Sequence, residues 1–191
     1  MTFDKGAFYS TVRAKLSTLS PSQVQGFETL GEVCNGAPLA HQAYMLATAW
    51  HETNKTMQPV REAYWLSEEW RRTHLRYYPW YGRGYVQLTW QPNYAKADKE
   101  AAAAGLIKPG ELLASPDLAM RPDIAALVMH KGMLEGWFTG VKLSTVLPAS
   151  GVATHDQYCD ARTIINGHDK ADAIEDYAQA FEHALRDAGV S

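Results

Sequence analysis

The stretch PLAHQAYMLATAWHE, residues 38–52, is an almost wholly apolar run that ends in a carboxylate. Leu39, Leu46 and Trp50 recur at the spacing of one helical face. His41 and Glu52 share a second face, roughly opposite the first. A helix that is flanked on both sides is predicted to lie in the centre of its domain. The acid that ends this helix therefore needs an explanation.

Length and charge limit the classes of protein to consider. The chain has 191 residues, with 18 Lys and Arg against 21 Asp and Glu, a formal net charge of −3. This length is typical of one domain, and the charge gives no reason to bind nucleic acid or an anionic membrane. The start, MTFDKGAFYS, has no secretory signal pattern, and no run approaches the roughly 18 apolar residues of a membrane span. We expect residues 1–191 to form a single domain, made in the cytoplasm, with no nucleic-acid partner and no stable membrane insertion.

Capping and turn residues predict a mainly helical chain. Ser20-Pro21-Ser22-Gln23 has the pattern of a capping box at a helix start. Gly105 is expected to end a helix that begins near Asn93. Ser115-Pro116-Asp117 and Arg121-Pro122-Asp123 predict two further helix starts.

The remaining segments are less regular. Residues 86–89 alternate in polarity and predict a short strand, and residues 144–156 predict a loop. A last amphipathic helix is predicted around residues 174–185, with an exposed acidic side that carries Glu175, Asp176, Glu182 and Asp187. The two cysteines, Cys34 and Cys159, are too few for a disulfide framework. They indicate two buried thiols, with one long-range disulfide as the alternative.

Glu52 and Glu62 suit a two-carboxylate reaction. Burial at the end of a central helix favours the protonated form of a carboxyl, which a general acid requires. In a more polar setting near Arg61, Glu62 would stay ionised and act as general base. Such a pair is the minimum apparatus for glycoside hydrolysis, and a separation of about 6.5–9.5 Å leaves room for a water and gives inversion. The alternative is that both are ordinary surface acids.

Aromatic residues crowd the middle of the chain, and basic residues lie among them. The rings supply flat faces suited to sugars, although such clusters are also typical of a core. The arginines would pair with local acids or meet substrate carboxylates. The aromatic residues are Trp65, Trp70, Tyr77, Tyr78, Trp80, Tyr81, Tyr85 and Trp90, and the arginines are Arg71, Arg72, Arg76 and Arg83.

Metal and nucleotide chemistry lack their motifs. His51-Glu52 resembles half of a zinc-peptidase motif, but the second ligand position holds Lys55. No other close histidine pair has ligand spacing. Neither a nucleophile-elbow motif nor a Walker loop occurs. We expect no metal and no cofactor.

Four motifs in order resemble the landmarks of glycoside hydrolase family 19, the chitinase class whose lysozyme-like fold also serves in phage endolysins. They span about residues 38–170. The resemblance implies a mainly α, two-lobed fold with a central helix and a small irregular or β lobe lining a cleft. It also implies an inverting mechanism without metal. The motifs are HET at 51–53, YGRGYVQLTWQPNY at 81–94, ELLASPDLAMRPDIAA at 111–126 and INGH at 165–168.

The same resemblance assigns roles to single residues. Glu52 matches the general acid, and Thr89 matches the residue that holds the attacking water with the base. Glu62 fits the base of compact members, with Glu68 and Glu69 as alternatives. A family glycine is replaced by His168, which a left-handed backbone would not favour. Substrate contacts are expected at His51, Tyr64, Tyr81, Gln87, Asn93 and Asn166.

The short chain leaves little room for long groove-building loops. We therefore expect a monomer that acts on peptidoglycan glycan strands, with chitin as the alternative and a silent glycan-binding or phage structural domain as the third reading. For a phage lysis enzyme, a holin or similar route would be needed to reach the periplasm.

Overall fold

A computed structural model describes residues 3–191, and its centre is the predicted apolar helix. This helix, α3, runs from Leu39 to Glu52, and every residue from Leu39 to Trp50 is buried. It packs mainly along the last helix, α10 (Ala171–Asp187), and also contacts other helices of the core. The indole of Trp50 packs on two phenyl rings. Its ring centroid lies 6.0 Å from that of Phe27 and 6.1 Å from that of Phe181. The central position and the end at Glu52 are both as predicted.

Two helices precede α3. The first, α1 (Lys5–Lys15), is capped by Asp4, whose carboxylate accepts from the Ala7 N–H. The second, α2 (Pro21–Cys34), begins at Ser20 with both hydrogen bonds of the capping box in place. The predicted start of this helix is therefore confirmed.

A small, irregular lobe follows α3. Its only regular elements in the described chain are the two-residue strands β1 (Val60–Arg61) and β2 (Arg83–Gly84), which pair antiparallel, and the short helix α4 (Glu68–His74). The strand predicted over residues 86–89 is wrong. Val86 and Leu88 are both buried, as the alternation indicates, but Gln87, with φ of 53°, turns the backbone between them.

The next helices cover one side of the core. They are α5 (Gln91–Ala103), α6 (Glu111–Ala114) and α7 (Pro122–Glu135), with a 3-10 turn over Pro116–Met120. Gly105 has a φ of +74° just beyond α5, as expected for a residue that ends a helix. The region predicted as a loop holds one short helix, α8 (Leu143–Val146).

The final part comprises α9 (His155–Ala161), a 3-10 turn over Arg162–Ile164, and α10. The predicted acidic outer face of α10 is partly wrong, because Glu175 and Glu182 are buried. Helix α9 covers this side, and the Tyr158 hydroxyl donates to Glu182 Oε2 at 2.7 Å. Burial there is tolerated because the carboxylate has a donor.

The two cysteine thiols differ in their exposure to solvent. Both cysteines are free, but only Cys34 is buried, and Cys159 is partly exposed. None of the helices between residues 3 and 191 is both long and apolar enough to cross a bilayer.

Candidate active site

The end of α3 opens into a cavity of about 540 Å³ between the helical core and the small lobe. Six of the nine residues predicted for the site line this cavity. The wall is completed by apolar and aromatic side chains. The predicted residues are Glu52, Glu62, Gln87, Thr89, Asn93 and Asn166, and the others are Tyr77, Val86, Trp90, Phe138 and Ile165.

Glu52 reaches the cavity in an ion pair. Its Oε1 accepts from Arg162 Nη1 at 2.7 Å, and the side chains are 17% and 3% exposed. Arg162 is itself fixed by its Nε, which donates to the Asp169 carbonyl at 2.9 Å. The sequence-based picture of a carboxyl kept protonated by burial alone is therefore incomplete, because a buried guanidinium faces it. Within residues 3–191, Glu52 Oε2 has no hydrogen-bond partner, so this oxygen is available to a ligand.

Glu62 is held by two donors of the small lobe. Its Oε1 accepts from the Tyr77 hydroxyl at 2.5 Å and its Oε2 from the Gly82 N–H at 2.9 Å. Burial and the hydrogen bond to Glu62 raise the pKa of Tyr77 to about 12, so the phenol stays protonated and donates. The predicted neighbour Arg61 instead pairs with Asp117 at 3.0 Å. Both carboxylate oxygens keep a free lone pair for a water.

Only a glycine fits beside Glu62. A Cβ on Gly82 would lie 2.6 Å from Gln87 Oε1 and 3.2 Å from Glu62 Oε2. The backbone of this glycine also pairs with Glu62, whose N–H donates to the Gly82 carbonyl at 2.8 Å. The carboxylate and the Gln87 amide are therefore packed directly against the β2 backbone.

The alternative bases lie outside the lining of the cavity. Glu68 accepts from Arg71 Nε and from the Tyr81 hydroxyl, both at 2.9 Å. Desolvation opposes the shift, but these two donors lower the pKa of Glu68. Glu69 is exposed and bound to Arg72 at 2.6 Å. Of the three carboxyls considered for the base, Glu62 is the one that lines the cavity together with Glu52.

A buried arginine shapes the loop that carries Gln87 and Thr89. Arg83 is 3% exposed and donates to Asp117 Oδ1 at 2.8 Å and to the Pro79 carbonyl at 2.9 Å. Arg83 and Leu88 exchange backbone hydrogen bonds, which closes the loop between them. The Thr89 hydroxyl donates to the Gln87 carbonyl at 2.7 Å, so the Thr89 oxygen is left as an acceptor towards the cavity.

Three residues predicted to contact substrate do not line the cavity. His51 is half-buried beside Glu52, and its burial lowers its pKa. Tyr81 is fully buried beneath Arg83, whose guanidinium carbon lies 3.5 Å from the ring centroid. Tyr64 is 63% exposed and packs on Trp65 on the outer surface. The placement expected for Tyr81 is therefore wrong, because its ring packs into the lobe.

The sequence motifs did not identify all of the wall. Tyr77 and Trp90 pack edge to face, with centroids 4.9 Å apart, and both came from the aromatic cluster. The Arg76 guanidinium lies 5.1 Å from the Trp90 centroid. Arg162 gave no local signal, because it is 110 residues away from its partner Glu52.

The INGH segment places Asn166 without requiring an unusual backbone at the following histidine. Gly167 takes the positive φ, +51°, and the other positive value in this loop falls at Lys170, φ 60°. His168 therefore does not need the left-handed conformation that would disfavour it.

Comparison with known proteins gives a match of structure only. No protein-family profile and no curated protein sequence matches the chain. Chitinase C from Streptomyces griseus HUT6037 aligns with a TM-score of 0.53 at 16% identity, over 99% of this chain and 77% of that one. A mutant of chitinase C aligns with a TM-score of 0.50 at 16% identity, over 99% of this chain and 93% of the mutant. A bacterial family 19 chitinase aligns with a TM-score of 0.48 at 20% identity, over 100% of this chain and 97% of that one.

The chain has the fold of chitinase C. The predicted fold class, mainly α with a central helix and a small lobe, is thereby confirmed. The resemblance to glycoside hydrolase family 19 that the motifs indicate is confirmed at the level of this fold.

Proposed function

We propose that the protein is an inverting glycoside hydrolase that cleaves β-1,4 bonds of bacterial peptidoglycan. One observation carries the proposal: Glu52 and Glu62 line the same cavity from the two lobes, each with different partners. Glu52 is bound by a guanidinium, and Glu62 by a phenol and a backbone N–H. Two carboxyls in distinct settings are what separate acid and base roles require.

In the proposed mechanism, Glu52 is the acid and Glu62 is the base. With substrate bound, Glu52 takes up a proton on its free Oε2 and donates it to the glycosidic oxygen, while Arg162 keeps Oε1 in place. A water that donates to Glu62 and to the Thr89 oxygen attacks the anomeric carbon from the opposite face. Glu62 takes the proton of this water as the bond to the leaving sugar breaks. General acid and base groups of this kind each contribute about 10²–10⁴-fold.

The remaining wall suits an N-acetylated sugar. Trp90 and Tyr77 offer ring faces for stacking, and Val86 and Phe138 add apolar surface. Gln87, Asn93 and Asn166 add amide groups to the lining. Asn93 Nδ2 donates to the Thr89 carbonyl at 3.1 Å, which leaves the Asn93 side-chain oxygen free. Such a mixture of apolar faces and a few polar groups is typical of sugar sites.

Arg76 supports peptidoglycan over chitin. Four arginines lie among the aromatic residues in the middle of the chain. Three of them, Arg71, Arg72 and Arg83, pair with acids of this chain. Arg76 does not, since no carboxylate of the described chain lies within 4.0 Å of it, and it sits at the edge of the cavity against Trp90. Peptidoglycan carries carboxylates on its lactyl groups and stem peptides, whereas chitin is uncharged. A free guanidinium at the rim therefore favours the charged glycan.

The experiment compares purified Gram-negative sacculi with colloidal chitin, using wild-type protein and Glu52→Gln. Mass spectrometry of borohydride-reduced muropeptides identifies which sugar becomes the new reducing end. Proton NMR of the first products identifies the anomer, and a retained configuration would refute the inverting mechanism. Arg76→Met should slow cleavage of sacculi more than cleavage of chitin oligomers, with Arg186→Met on α10 as the matched control. Equal losses on both substrates would contradict the role of Arg76.

Chitin is the second candidate, because chitinase C shares this fold. Release of oligomers from chitin without muropeptide release would establish it. Activity on neither substrate would support a silent glycan-binding domain. If peptidoglycan is the substrate, the cell wall is the place of action, and a holin or similar route is proposed for access to it.

A further inference from the structure

Helices α9 and α10 bring together three metal-ligating side chains outside the cavity. His155 and Cys159 are four residues apart on α9, and Asp172 lies in the first turn of α10. One ligand atom from each of them lies within 4.8 Å of the other two. A pair at this spacing lies on one face of a helix, as in helical zinc motifs. This combination is not a histidine pair in the sequence, because its second member is a cysteine.

The spacing of these atoms fits a tetrahedral ion. Cys159 Sγ lies 3.7 Å from His155 Nδ1 and 3.7 Å from Asp172 Oδ1. Zinc bonds of about 2.3 Å to sulfur and about 2.0–2.1 Å to nitrogen or oxygen, at a tetrahedral angle, put such ligands about 3.5–3.6 Å apart. The remaining pair, His155 and Asp172, lies within 4.8 Å, so these two side chains must approach each other to close the three atoms around Zn²⁺.

Glu175 lies near the outer nitrogen of His155, where a ligating histidine usually has a hydrogen-bond partner. Its Oε2 lies 4.0 Å from His155 Nε2, and its side chain is 3% exposed. Gln179 Nε2 donates to the other oxygen of Glu175, which fixes the carboxylate. With Nδ1 on a metal, Nε2–H would point to Glu175, the carboxylate–histidine–metal arrangement that sets the ring orientation.

The charges at this position favour a cation. The Asp172 Oδ1 atom lies 3.7 Å from Cys159 Sγ, and Glu175 Oε2 lies 4.0 Å from His155 Nε2. Asp156 adds another carboxylate, with Oδ1 3.4 Å from His155 Nδ1. A divalent ion would offset these negative charges and bind the thiolate directly.

We propose that His155, Cys159 and Asp172 bind a divalent transition metal of the zinc type, with solvent in the fourth position. His155 and Asp172 are exposed, so an ion can enter and keep a water. The ion would tie the start of α9 to the start of α10 and so fix both ends of the segment that carries Arg162 and Asn166. The inference goes beyond the proposed function and stands whether or not the protein cleaves peptidoglycan.

Cobalt titration of the full-length protein, without a histidine tag, tests the proposal. Co²⁺ should bind in a 1:1 ratio and produce a thiolate-to-cobalt absorption band in the near ultraviolet, and Zn²⁺ should displace it. Cys159→Ser should remove the band and weaken Zn²⁺ binding more than the roughly 10–100-fold effect of an outer contact. His183→Asn, an exposed histidine of α10, is the matched control and should bind like the wild type.

Two further variants keep the test decisive. Asp172→Asn replaces Cys159→Ser if circular dichroism shows that the latter is unfolded. Glu175→Gln keeps all three ligands and should weaken Zn²⁺ binding by about 10–100-fold. Absence of the cobalt band in wild-type protein, or equal Zn²⁺ affinity of wild type and the ligand variants, would overturn the proposal.

Discussion

Gly82→Ala tests whether the position of Glu62 matters for turnover. An added Cβ would lie 2.6 Å from Gln87 Oε1 and 3.2 Å from Glu62 Oε2, whereas ordinary contacts begin at 3.4 Å. The Gln87 amide oxygen must therefore move by about 0.8 Å, and the base by a few tenths of an ångström. The Gln87 amide group is held by its hydrogen bond to the Val60 carbonyl at 3.2 Å, so the strain is shared between both side chains.

This displacement should affect catalysis more than stability. A misplacement of about 1 Å at a catalytic centre costs about 10²-fold, so we expect kcat to fall by roughly 10–100-fold. Overpacking of this kind costs about 1–3 kcal/mol, and each kcal/mol shifts the Tm of a chain of this size by about 2–4 °C. The assay is the initial rate of muropeptide or oligomer release, with Tm measured on the same samples.

Gly31→Ala is the matched control. Gly31 lies within α2, and a Cβ there would meet nothing within 4 Å. Alanine in a helix interior is better than glycine by about 0.5–1 kcal/mol, so this variant should gain slightly in Tm and keep its rate. A folded Gly82→Ala protein with the wild-type kcat would refute the reasoning that Glu62 and Gln87 must stay where they are.

Other perturbations test the remaining contacts. Glu52→Gln should abolish cleavage and lower the free energy of unfolding by about 1–3 kcal/mol, because the buried Arg162 loses its counter-charge; an unchanged Tm would contradict this. In a double-mutant cycle with Arg162→Met, the two losses should be non-additive by more than about 0.5 kcal/mol, whereas simple additivity would show that the ion pair contributes no coupling. Glu62→Gln should lower kcat at least about 10²-fold while Glu68→Gln retains activity, and the opposite result would make Glu68 the base. Burial lowers the pKa of His41 below its usual 6.5, so the folded state binds fewer protons and stability should decrease as the pH falls from 6.5 towards about 5. Urea unfolding across that range should show a smaller slope for His41→Gln, and an unchanged slope would exclude this histidine as a source.

Local patterns predicted the five longest helices of the described chain, α2, α3, α5, α7 and α10. The capping box at Ser20 and the glycine at 105 act through contacts within a few residues, so the sequence displays them directly. Helix α3 was recognisable because both of its faces lack charge over a long run. Physical signals of this kind do not depend on the rest of the fold.

Long-range pairing explains the errors. Glu175 and Glu182 belong to a polar stripe that looks solvent-exposed in α10 alone, and only the packing of α9 buries it. The 86–89 segment alternates like a strand, but Leu88 pairs through its backbone with Arg83, whose side chain is bound to the distant Asp117, and the chain turns at Gln87. For the site, motif spacing identified the acids, whereas the partner of Glu52 lies too far along the sequence to be inferred.

The ion pair of Glu52 and Arg162 also has a consequence for when the site is completed. Its two members are separated by 110 residues, and Arg162 comes from the last 30 residues of the chain. The entropy of closing so long a loop is lost before the contact contributes any free energy. Contacts of this kind therefore tend to form late in folding. During translation, the acid therefore has no Arg162 guanidinium beside it until 110 further residues have been synthesised.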